Sequence, residues 1–94
     1  MKIKAEDYFR NEENIYEKMT GKKSGFVLEK VDGVYELSKN RVVFVQTKTA
    51  GEVRNFLDGF IVATAEMCGY DPLSVVNSLY NPYYFHPERV KMTA

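Results

Sequence analysis

The chain has 94 residues, 45% of them apolar and 28% charged, with thirteen basic and thirteen acidic side chains and a formal net charge of zero. That length holds one hydrophobic core, so residues 1–94 are read as a single small globular domain. The charge balance excludes a histone-like basic binder and an acidic nucleic-acid mimic, and the composition excludes whole-chain disorder.

From Ala5 to Met19 the pattern is helical but weak. Tyr8, Phe9, Ile15, Tyr16 and Met19 fall roughly on one side, interrupted by the polar run Arg10-Asn11-Glu12-Glu13-Asn14. Gly21 can close this helix, and Gly21-Lys22-Lys23-Ser24-Gly25 reads as a mobile loop. Two β-prone runs follow, Phe26–Val31 and Val34–Ser38, joined by Asp32-Gly33. Asp-Gly between such runs predicts a hairpin, because a type I′ turn needs φ > 0 at both central positions. A second two-residue turn at Lys39-Asn40 leads into a third strand, Arg41–Thr47.

These turns predict a register. Val31 opposes Val34, Leu28 opposes Leu37, Glu29 opposes Glu36, Leu37 opposes Val42 and Tyr35 opposes Phe44. One face then holds Phe26, Leu28, Tyr35, Leu37, Val42 and Phe44. The other holds Val27, Glu29, Val31, Val34, Glu36, Arg41, Val43 and Val45. Five valines are too many for a face open to water, so that face calls for a cover. The candidates are the aromatic end of the chain with the first helix, or a second subunit.

Thr49-Ala50-Gly51-Glu52 reads as a capping box ahead of a long amphipathic helix. Its apolar positions Val53, Phe56, Leu57, Phe60, Ile61, Thr64 and Met67 keep helical spacing, and Gly69 supplies the stop. Gly59 and Ala63, one turn apart, would allow another element to approach closely. Asp71-Pro72 starts a short helix, with Leu73, Val76 and Leu79 or Tyr80 as its buried edge and Asn81-Pro82 as its end. An aromatic segment through Phe85 follows, and residues 88–94 read as a fraying tail. The fold class is α+β: N-terminal helix, three-stranded antiparallel meander, long helix, short C-terminal helix and aromatic tail. The order α-β-β-β-α is also that of double-stranded-RNA-binding domains. Those domains grip phosphate with a lysine cluster at the start of the second helix, where Lys48-Thr49-Ala50-Gly51-Glu52 offers one lysine and an acid. The likeness is one of topology alone.

Catalytic signals are sparse. His86 is the only histidine and has no sequence-evident nucleophile or orienting acid beside it. Cys68, the only cysteine, sits at a helix C-terminus, the wrong end of the dipole for a thiolate. It also excludes an intramolecular disulfide and points to a reducing compartment. No phosphate loop, CxxC, HExxH or GxSxG occurs. Glu29 against Glu36 lacks the further ligands a metal needs. No catalytic, cofactor-binding or metal residue is therefore assigned. No apolar run reaches the ~20 residues that span a bilayer, and the N-terminus turns acidic where a signal peptide needs its apolar core, so a cytoplasmic, non-membrane protein is expected.

Two surfaces remain. Val27, Val31, Val34, Val43 and Val45, with Tyr80, Tyr83, Tyr84 and Phe85, form a candidate protein interface, which implies a small non-enzymatic binding or adaptor domain, homodimeric or bound to another protein. The alternative is a nucleic-acid-binding accessory protein. Residues 21–50 hold six cations (Lys22, Lys23, Lys30, Lys39, Arg41, Lys48) against three anions (Glu29, Asp32, Glu36). Of these, Lys22, Lys23, Lys39, Arg41 and Lys48 would meet phosphates, with the tail tyrosines stacking on bases. Lysines on a small sheet also serve simply to block edge-to-edge aggregation.

Overall fold

A computed structural model describes residues 3–81 and 85–87 and has the expected α+β layout. The order is α1 (Ala5–Thr20), β1 (Phe26–Val31), β2 (Val34–Lys39), β3 (Val42–Thr47), α2 (Ala50–Cys68) and α3 (Pro72–Tyr80), with the strands in the order β1-β2-β3. Tyr83, Tyr84 and the tail expected over 88–94 lie outside the described residues.

Local chemistry sets most element ends. Thr49 Oγ1 accepts from the Glu52 N–H at 3.4 Å at the start of α2. The reciprocal half of the capping box does not form, because the Thr49 N–H donates instead to Thr47 Oγ1 at 3.1 Å. At the other end Gly69 adopts φ 80°, and the Tyr70 and Gly69 amides donate to the carbonyls of Ala65 and Glu66. That double bond pattern is the Schellman closure. Gly21 ends α1 in the same left-handed conformation. The loop after it, expected to be mobile, is tied down: Ser24 is buried and its hydroxyl donates to the Glu13 carboxylate.

The first hairpin has the expected register. Asp32 and Gly33 both take positive φ, Val31 pairs with Val34, Leu28 with Leu37 and Glu29 with Glu36. The second differs. Its turn residues are Asn40 and Arg41, both at positive φ, so Lys39 pairs with Val42 and Ser38 with Val43. One residue later Leu37 pairs with Val45, and Tyr35 with Thr47. Phe44 is thus the extra residue of a β-bulge, which reverses the side-chain alternation beyond it. Val45, expected on the outer face, is turned to the core, and Phe44 still reaches the aromatic cluster of Phe26 and Phe56.

The core joins Phe26, Tyr35 and Leu37 of the sheet to Val53, Leu57 and Ile61 of α2, Tyr8, Ile15 and Met19 of α1, and Val75 and Leu79 of α3. Phe56 and Phe60 are half-buried rather than central, and Phe60 stacks on Tyr16 while meeting Phe26 edge-on. Met67 is 87% exposed and Leu73 is also exposed, so neither belongs to the buried stripe expected of it. Gly59 and Ala63 face solvent, and a Cβ built on Gly59 meets no atom within 4 Å, so no close helix approach explains that glycine.

Candidate protein interface

Alternation along the strands sends Val27, Glu29 and Val31 of β1 to the outer face with Val34, Glu36 and Ser38 of β2. Across the bulge, Val43 and Gln46 of β3 join them. Val27, Val31 and Val43 are 49%, 61% and 48% exposed, and Val34 is half-buried. Val27, Ser38 and Val43 form one row across the sheet; two residues along lies the row Glu29, Glu36 and Gln46. Gln46 Nε2 donates to Glu36 at 3.4 Å.

Among the described residues, the covers considered for this face from within the chain lie elsewhere. The helix α1 packs against α2 and α3 on the opposite side. Phe85 is buried beside Tyr70, with Lys18 Nζ 6.0 Å from its ring centre. Tyr80 is half-exposed on α3 and meets Tyr8 edge-on. Val27, Val31, Val34 and Val43 therefore form one surface, while Tyr80 and Phe85 belong to the helical side.

The five cations of the alternative reading are also divided. Lys22 and Lys23 in the loop after α1 lie at the same end of the sheet as Lys39 and Arg41. Lys39 stretches its stem past Gly25 and sets its ammonium 5.5 Å from the Phe26 ring centre. Lys48 follows β3 at the opposite end.

Two features escape the sequence pattern. Glu12, read as part of a polar interruption, is fully buried on the α1 face it shares with Tyr8 and Ile15. Among the described residues, both its carboxyl oxygens and the Tyr8 hydroxyl lack hydrogen-bond partners. Burial, reinforced by the adjacent Glu13 carboxylate and opposed by the Lys39 ammonium, pushes the Glu12 carboxyl up to about 9. Its i+4 spacing from Tyr8 was the available signal, but an acid at a core position carries no warning in composition. Burial also raises Asp58, whose Oδ1 is unpartnered among the described residues.

The second feature is a cleft of about 580 Å³ between the first turns of α1 and α2 and the end of the first hairpin. Lys4, Lys30 and Arg54 line it with Glu6 and Tyr35. Its cations are 24 to 50 residues apart in sequence, so no local motif announces them.

His86 is exposed and Cys68 half-buried. Among the described residues no three His, Cys, Asp or Glu side chains converge to hold a metal ion, and no helix is long and apolar enough to cross a membrane. No protein-family model, curated protein or solved structure matches the chain.

Proposed function

We propose that this protein is a small non-enzymatic binding module that works through the outer face of its sheet, and that the partner on that face is a second copy of the chain. The observation that carries the reading is the exposure of Val27, Val31 and Val43 on one surface. Charge placement favours a second copy. Glu29 and Glu36 lie two residues to one side of the Val27–Ser38–Val43 row, roughly 7 Å away at strand spacing, and the Asn40-Arg41 turn lies at the other side. A two-fold axis along that row lays Val27 on Val27 and Val43 on Val43 and brings the Asn40-Arg41 turn of each copy to the Glu36–Gln46 end of the other. The arrangement sets a cation near the Glu36 side of the other copy and makes an isologous, aligned sheet-on-sheet interface with valines at its centre.

Sedimentation equilibrium over a range of protein concentrations tests this. The chain should have twice its monomer mass at about 0.1 mM, a concentration at which a micromolar dimer is nearly complete. Val43→Lys should give a folded monomer. Arg41→Glu should weaken association, and Arg41→Glu with Glu36→Arg should restore part of it. A monomer at every concentration would refute the reading. The gathering of Lys22, Lys23, Lys39 and Arg41 favours nucleic acid as the second reading; a steep salt dependence of oligonucleotide binding, reduced by Lys22→Gln with Lys23→Gln, would support it.

A further inference from the structure

We propose that the cleft at the starts of α1 and α2 binds a phosphate-bearing small molecule. Three cations line it, Lys4, Lys30 and Arg54, against one acid, Glu6, which already accepts from the Tyr35 hydroxyl at 3.3 Å. Among the described residues, the one ion pair is Arg10 with Asp7, so none of the three cleft cations is neutralised by a carboxylate. The start of α1 adds a cation beside its first-turn acids Glu6 and Asp7. Lys4 stands at the N-cap, supplies no capping oxygen to the first-turn amides, and places a cation at the positive end of the helix dipole. Ala5 and Glu6 of that first turn line the cleft, and so do Ala50 and Gly51 of the first turn of α2.

The cations are also positioned. Arg54 Nη1 donates to the Ile3 carbonyl at 2.7 Å, which aims the guanidinium across the cleft and keeps its second nitrogen beside Gly51. Lys30 Nζ is held 4.9 Å from the centre of the Tyr35 ring. Two helix starts, two lysines and an arginine fork line one cleft, a donor set that suits a phosphate dianion. A cleft of about 580 Å³ exceeds what a phosphate group fills and falls in the range of small-ligand sites, so the occupant is an organic phosphate or a diphosphate. No residue of the cleft belongs to the outer sheet face, so this inference stands apart from the dimer reading.

The test is titration of the full chain with inorganic pyrophosphate, followed by amide chemical shifts and by calorimetry. Saturable binding should move the amides of Ala5, Glu6, Ala50 and Gly51. Lys30→Gln and Arg54→Gln should each weaken it about tenfold, roughly 1.4 kcal/mol, while Lys22→Gln with Lys23→Gln leaves it unchanged. Lys30 is exposed, so its variant keeps the fold and serves as the safe arm; Arg54→Lys, which keeps the charge and loses the fork, should fall between. The inference is overturned by absence of saturation up to about 10 mM, a ceiling above millimolar affinity. Shifts centred on Lys22, Lys39 and Arg41, or affinity unchanged in both cleft variants, would overturn it equally.

Discussion

Glu12 makes the stability of this protein depend on pH in an unusual direction. Its carboxyl is raised from 4.5 to about 9 in the folded chain, first by burial and then by the Glu13 carboxylate. A raised acid means that the folded state holds its proton when the unfolded state has lost it. Below pH 4.5 both states are protonated and folding loses nothing. Between 4.5 and about 9 stability falls by up to about 1.4 kcal/mol per pH unit, and above that range the loss is complete at about 6 kcal/mol. At pH 7 the loss is about 3 kcal/mol, a large share of the ~5–14 kcal/mol expected for a domain of this size. Urea denaturation at several values from about pH 5.5 to 8.5 should therefore show a falling midpoint at constant slope in denaturant. Glu12→Gln keeps the volume and removes the larger titration, so its midpoint should fall much less over the same range. Asp58, raised by burial, contributes a loss of the same sign, which Asp58→Asn isolates. A wild-type midpoint that does not move, or a Glu12→Gln protein with the same pH slope, refutes the argument.

Leu57→Ala should cost about 2–5 kcal/mol by calorimetry, because Leu57 is fully buried; Phe60→Ala should cost less than the ~3–5 kcal/mol of a fully buried phenylalanine, since its ring is only partly buried. Gly59→Ala should raise stability by about 1 kcal/mol, because the position is helical, exposed and free of close neighbours. Val45→Lys and Val43→Lys should part company: the first should lower the melting temperature sharply and the second should leave the monomer fold intact. Equal destabilisation by both would refute the bulge at Phe44.

What was legible in the sequence is what the chain decides over a few residues. The Thr49 cap, the Gly69 stop, the Asp71-Pro72 start and the Asp32-Gly33 turn each rest on one or two side chains and a backbone angle, and all four stand where they were expected. The outer valines of β1 and β2 follow from the first turn by simple alternation. The second hairpin marks the boundary. Lys39-Asn40 and Asn40-Arg41 are both plausible turns locally, and the choice falls to the packing of Phe44 and Val45 against α2, which the bulge allows together. Glu12 is beyond any local signal, since only the meeting of helices and sheet around α1 removes it from water. The cleft is tertiary in the same sense: Lys4, Lys30 and Arg54 belong to three separate elements, and only the assembled fold makes three scattered cations into one field. Caps and turns act over a few ångströms along the chain, whereas burial and charge convergence depend on which distant surfaces meet, so the tertiary structure alone decided them.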